Sequence, residues 1–174
     1  MTTLEPGQAA FITKPTSRFM LSHPAHWLAQ GFGSGLSPLL PGTTGTLFAW
    51  LSFVMLTERW PDFFTAQNWT AILVIGFAIG IWACNVTGRN LGIADHGSMV
   101  WDEIIAFWLV LLFVMPAGFW VQLAAFVIFR FFDMVKPPPI SYFDRHLKGG
   151  FGVMFDDLIA SFYTLLIFAF WQML

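Results

Sequence analysis

The chain has 174 residues, eight Lys and Arg against ten Asp and Glu for a formal charge of −2, and only 10% charged residues in all. Hydrophobic residues make up 57%, with 21 Phe and 9 Trp, and mean hydropathy is +0.69. This composition leaves too little polar surface for an ordinary soluble protein and no basic patch for a nucleic-acid partner, so a single-domain membrane protein is expected. Lone Cys84 excludes an intrachain disulfide.

In chain order, residues 1–18 lack the basic start, apolar core and small-residue cleavage site of a secretory signal and are expected to form a mobile tail, leaving 19–174 as one membrane-embedded domain. Apolar runs follow at Gly45–Thr57, Thr70–Cys84, Ile104–Met115, Phe119–Phe129 and Leu158–Leu174. Most are shorter than the roughly 20 residues of a straight spanning helix, so short helices, tilted or incompletely spanning, are expected. No strand alternation or internal repeat is visible, which makes the fold all-α, an integral membrane helical bundle.

The stretch from Ile104 to Phe129 forks the topology. As one helix it would run about 39 Å, long for a hydrocarbon core of about 30 Å. Pro116-Ala117-Gly118 interrupts it at the midpoint, which favours a helical hairpin over a kinked single span. With the hairpin, Lys14, Arg18, Arg89, Arg130, Lys136, Arg145 and Lys148 share one side, and only Arg59 lies on the other, in a connection whose Trp60 and Trp69 suit an interfacial belt. Cytoplasmic loops are enriched in Lys and Arg, so the amino terminus and the acidic loops should face the cytoplasm.

Carboxylates beside hydrocarbon are costly, yet Asp95, Asp102, Glu103, Asp133, Asp144, Asp156 and Asp157 all lie at or near the ends of apolar runs, on that same side. Asp102-Glu103 stand where the third run begins. A helix dipole favours one acid there by about 0.3–1 kcal/mol, whereas two adjacent acids repel unless a cation or protons intervene. Arg130, Asp133 and Lys136 recur every third residue and can address one point, or form a local ion-pair ladder. Gly149-Gly150-Phe151-Gly152 leads to Asp156-Asp157, expected to open the last run, with Asp144-Arg145 just upstream. Pro41-Gly42-Thr43-Thr44-Gly45-Thr46 enters the first run. Its hydroxyls and free amides can bind an oxyanion, although helix capping and close packing account for it when taken alone. The histidines at 23, 26, 96 and 146 are scattered and suit surface or interfacial roles better than zinc. An all-oxygen cluster suits magnesium or manganese instead, and a phosphorylated lipid as its ligand.

Several of these strings together resemble phosphatidylglycerophosphatase A. They are Gly33-Ser34-Gly35-Leu36-Ser37-Pro38 with Pro41-Gly42-Thr43, His96-Gly97-Ser98-Met99-Val100-Trp101-Asp102-Glu103, Arg130 to Asp133 with Lys136-Pro137, Asp144-Arg145, and Gly149 through Asp157. The resemblance runs from about His23 to the end and departs at Ala106 and Ser161, where the family pattern has Gly. It implies a magnesium-dependent phosphatase of bacterial inner membranes, multi-pass, that converts phosphatidylglycerophosphate to phosphatidylglycerol at the cytoplasmic face. On this basis Asp102, Glu103, Asp133, Asp156 and Asp157 are expected to hold Mg²⁺, and Thr43, Thr44, Arg130, Lys136 and Arg145 to bind the substrate. Asp102, Glu103, Asp133, Asp144 and Asp156 are the expected catalytic residues, Asp144 as a reserve for proton transfer. Small residues on several helices permit a homo-oligomer. The alternative readings are an ion- or proton-coupled transporter using the carboxylate cluster, and a lipid-binding assembly factor without chemistry.

Overall fold

A computed structural model describes residues 14–138 and 140–173, apart from the side chains of Asp144, Arg145 and Gln172. Within them the chain is helical, with no strand. Short helices α1 (Ser17–Met20) and α2 (Pro24–Ala29) lead through a 3₁₀ segment, Gly31–Leu36, into α3 (Pro41–Arg59) and α4 (Ala66–Leu91). Then come α5 (Trp101–Val114), α6 (Phe119–Val135), the short α7 (Ile140–His146) and α8 (Gly149–Gln172). The expected tail thus divides: residues 1–13 lie outside the described residues, while Thr16 caps α1, which already contains Ser17 and Arg18.

The most uniformly apolar run becomes the central helix, because a helix without a polar face is stable only when surrounded. Ile104, Ala106, Phe107, Val110 and Leu111 of α5 are inaccessible, and α5 packs against α3, α4, α6 and α8. The expected hairpin is present. After Pro116 the chain reverses, Gln122 Nε2 donates to the Ala117 carbonyl (2.7 Å), and α6 returns along α5 with Phe126 and Phe129 on Phe107. Where α4, α5 and α8 meet, Gly80 is required: a Cβ there would come within 2.7 Å of both Trp101 and Met154. Trp101 Nε1 meanwhile donates to the Gly76 carbonyl at 2.9 Å.

Ala106 and Ser161, the two departures from the family pattern, prove to be partners. Ser161 Oγ donates to the Ala106 carbonyl at 2.8 Å across the α5–α8 contact, and both residues are fully buried. The added hydroxyl therefore bonds the α5 backbone at the residue that carries the other departure.

α4 and residues Gly149–Trp171 are long and apolar enough to cross a membrane. Large apolar side chains stay exposed on the outside of the bundle, among them Leu51 and Met55 of α3, Val74, Ile75 and Ile79 of α4, Val127 and Phe131 of α6, and Phe162 and Phe170 of α8. A soluble monomer rarely carries so much exposed apolar surface, and a bilayer accounts for it. The expected short helix is found in α5, whose 14 residues span about 21 Å, whereas α4, with 26, extends well past its apolar run and spans about 39 Å.

Two positions differ from expectation. Trp69 is buried against Phe53, with its indole N–H on Thr57 Oγ1 (3.1 Å), instead of lying in an interfacial belt; Trp60 is exposed. His26 is also buried. It stacks on Phe19 and pairs with Thr87 Oγ1 (2.9 Å) and Asn90 Nδ2 (3.0 Å), which docks α2 onto α4. Both are amphipathic side chains whose polar atoms find internal partners, so burial carries no penalty of an unmade hydrogen bond.

Candidate active site

The amino ends of α3, α5 and α8 and the carboxyl ends of α4 and α6 gather at one end of the bundle. Asp102 and Glu103 lie in the first turn of α5. Asp133 lies near the end of α6 and is buried. α8 begins at Gly149, earlier than expected, where the Gly150 amide donates to Asn85 Oδ1 (2.7 Å). Asp156 and Asp157 therefore sit two turns inside the helix instead of opening it. Adjacent on a helix, they point about 100° apart and serve different neighbours.

Asp157 joins Glu103 and Asp133: each of the three offers an oxygen, and these lie within 4.8 Å of one another. Asp156 instead takes the ammonium of Lys136, whose left-handed backbone (φ 44°) closes α6. Arg130 joins the first group. Its Nη1 reaches Glu103 Oε1 (3.3 Å), Thr46 Oγ1 (3.3 Å) and the Asp133 carboxylate one turn away. Arg130, Asp133 and Lys136 thus face one region, as their spacing suggests, and they bind α5, α3 and α8 into it.

Among the described residues, five carboxylates and two cations gather here, and Asp102, Asp133, Asp156 and Asp157 are each at most 9% exposed. Among the described residues, Asp102 Oδ1, Glu103 Oε2, Asp157 Oδ2 and Arg130 Nε are buried without a hydrogen-bond partner. Buried charge in excess of its counter-charge is expensive, and clustered carboxylates, two of them, Glu103 and Asp157, with an unpartnered oxygen, offer the kind of donor that a hard divalent cation takes. Beside them Asp95, Lys148, Gly149 and Gly152 line a separate cavity of about 310 Å³.

Of the threonines that open α3, neither Thr43 nor Thr44 is the one that meets Arg130. Thr44 Oγ1 donates to the Ser34 and Pro41 carbonyls (both 2.7 Å), and Thr43 is half-buried. Thr46 is the threonine that meets Arg130, and Gly42 is the residue that admits Glu103: a Cβ on Gly42 would overlap Glu103 Oε1 and lie 2.9 Å from Arg130 Nη2. A sequence signal for both exists. Gly42, Gly45, Thr46, Ala49 and Phe53 form the buried stripe of α3 at helical spacing, and Thr43 and Thr44 fall off it. The side chains of Asp144 and Arg145 lie outside the described residues.

A family model described as phosphatidylglycerophosphatase A matches residues 27–172. The chain belongs to the phosphatidylglycerophosphatase A family. It is 45% identical over 146 residues to phosphatidylglycerophosphatase A of Escherichia coli, covering 83% of this chain and 81% of that one. With the enzyme of the same name from Haemophilus influenzae it is 39% identical over 153 residues, covering 88% and 91%. A Bacteroides thetaiotaomicron relative, 41% identical over 146 residues and covering 82% and 89%, carries the provisional name phosphatidylinositol-3-phosphatase. No solved structure matches the chain. Membership in phosphatidylglycerophosphatase A makes this chain a lipid phosphatase, a phosphoric monoester hydrolase, and the carboxylate cluster is its candidate active site.

Proposed function

We propose that the chain is a magnesium-dependent phosphatase that hydrolyses the terminal phosphate monoester of phosphatidylglycerophosphate, giving phosphatidylglycerol and inorganic phosphate. The observation that carries this reading is the convergence of Glu103, Asp133 and Asp157, from three helices, on one cation-sized space, with Arg130 on two of them and Lys136 on the neighbouring Asp156. The donor set fits Mg²⁺, because buried carboxylate oxygens of Asp102, Glu103 and Asp157 lack partners that a hard cation would provide. Glu103, Asp133 and Asp157 would hold it, with Asp102 and Asp156 beside them. Bound there, the ion supplies Lewis-acid polarisation of the phosphoryl oxygens and a lowered pKa for attacking water.

The chain's own groups do the rest. Arg130, with a buried Nε that has no hydrogen-bond partner, and Lys136 hold the phosphate oxygens and offset the charge that develops in the transition state. Their present pairing with Glu103, Asp133 and Asp156 keeps both side chains in place before substrate arrives. Asp144 and Arg145 remain candidates for proton transfer and phosphate binding.

The site end is proposed to face the cytoplasm of a bacterial inner membrane, with the helices crossing it several times. Supporting this are the basic residues Arg89, Arg130, Lys136 and Lys148 at that end and Arg59 alone at the other. A transporter would spread its acids through the membrane depth, whereas these bunch at one end.

Purified protein in detergent, given phosphatidylglycerophosphate with magnesium or with chelator, should release inorganic phosphate only with the metal. Phosphatidylinositol 3-phosphate, suggested by the Bacteroides relative's name, is the competing substrate. Release from that lipid alone would reassign the head group, and release from neither would overturn the enzymatic reading.

A further inference from the structure

α3 and α6 both lie on α5 and, below Arg130, meet each other chiefly through Trp50 of α3. The space between them is a cavity of about 490 Å³ lined by Leu47, Trp50, Leu51, Val54, Phe119 and Gln122. It opens outward, since Leu47, Leu51 and Phe119 are exposed on the bundle's membrane side.

The polar atoms along it are satisfied internally. Trp50 Nε1 donates to Gln122 Oε1 (2.6 Å), and Gln122 Nε2 donates to the Ala117 carbonyl (2.7 Å). The Trp50 ring stacks on Phe119 and Phe126, at centroid distances of 5.7 and 5.6 Å, which makes the floor flat and apolar. Nothing on these walls asks for water or for a polar partner.

The cavity lies on the same α3–α6 seam as the candidate active site. On α6, Arg130, Phe126, Gln122 and Phe119 follow one another at steps of four, four and three, a single helical stripe. On α3, Trp50 of the cavity lies one turn from Thr46, the residue that hydrogen-bonds Arg130. A charged end, where Arg130 and Glu103 meet Gly42 and Thr46, therefore shares one seam with a dry furrow. From Arg130 to Phe119 the stripe descends about 16 Å, close to one leaflet, half of a hydrocarbon core of about 30 Å.

We propose that the α3–α6 furrow receives one acyl chain of the phosphorylated glycerolipid substrate, with its head group drawn up to Arg130 and the carboxylate cluster. This inference rests on the phosphatase reading for the identity of the head group. A furrow of this volume suits a single chain of methylenes better than a docked helix, which is about 10–12 Å across with its side chains. The lipid enters sideways from the bilayer, without leaving the membrane, and its chain sets the depth at which the phosphate meets the acids.

The test compares diacyl phosphatidylglycerophosphate with its deacylated, water-soluble head group. Leu51→Trp and Leu47→Trp fill the furrow and should lower the ratio of kcat/KM for the diacyl over the deacylated substrate about tenfold, the scale of discrimination an apolar pocket provides. Ile75→Trp, on the exposed face of α4, should leave that ratio at the wild-type value. An unchanged ratio in the furrow variants, or an equal fall for both substrates, would overturn the proposal. In parallel, a phospholipid carrying a diazirine near the end of one acyl chain should label wild-type protein at Leu51, Val54 or Phe119. Labelling spread evenly over α4 and α8, or self-association in detergent that Leu51→Trp abolishes, would overturn it too, the latter because a second copy would be the occupant. Wild-type protein inactive on both substrates would refute the phosphatase reading, and the labelling would then decide the furrow by itself.

Discussion

Gly42→Ala sets two forces of opposite sign against each other. Replacing Gly by Ala within a helix ordinarily stabilises it by about 0.5–1 kcal/mol, so propensity alone predicts a more stable protein. The structure predicts the reverse, because the new Cβ overlaps Glu103 Oε1 and lies 2.9 Å from Arg130 Nη2 and 3.0 Å from Glu103 Cδ. Overpacking of this kind costs about 1–3 kcal/mol, which outweighs the propensity gain and lowers the melting temperature by a few degrees, at about 2–4 °C per kcal/mol for a chain of this size. Function should suffer more than stability. The Glu103 carboxylate must retreat by on the order of 1 Å from a position shared with Asp133 and Asp157, and a displacement that small can cost about 100-fold in rate. Phosphate release and thermal unfolding, measured side by side, read the two effects separately. Gly118→Ala is the control, since nothing lies within 4 Å of the Cβ it would add. If Gly42→Ala melts higher and turns over like Gly118→Ala, Glu103 does not need its present position and the assembly of the site described above is wrong.

Asp133→Asn and Asp156→Asn keep shape but remove a carboxylate charge; each should lower phosphate release at least about 100-fold while leaving membrane insertion intact, and full activity in either would withdraw that residue from the site. Ser161→Gly deletes the hydrogen bond to the Ala106 carbonyl, worth about 0.5–1.5 kcal/mol, and adds a helix-interior Gly penalty of about 1 kcal/mol; unfolding should shift down by several degrees with the rate unchanged, and an unshifted melting curve would deny the pair its role. Burial, assisted by His23, holds the His26 imidazole below its usual pKa of 6.5. The folded state then binds fewer protons than the unfolded one, so this contribution is fully present above about pH 6.5 and is lost as pH falls through the lowered value. Melting temperature should drop between pH 7 and 5, and His26→Asn should show a shallower slope; equal slopes would refute the assignment.

Composition and run length determined that the protein is a membrane bundle, because surface chemistry must match the solvent whatever the packing, and Pro116-Ala117-Gly118 determined the hairpin through a local backbone effect. The grouping of acids at one end was also readable from chain order, since each reversal returns the next acid to the same side. Tertiary structure alone decided which acid serves which partner. Asp156 and Asp157 are neighbours in sequence, yet one meets Lys136 and the other Glu103 and Asp133, a division that depends on where α8 starts and how it is rotated. Thr46 rather than Thr43 or Thr44 meets Arg130 because the stripe of α3 that packs on α5 carries it inward. His26 and Trp69 turned inward for the same reason: a polar atom is buried or exposed according to the partner awaiting it, and those partners, Thr87 and Asn90 for one and Thr57 for the other, are supplied by packing.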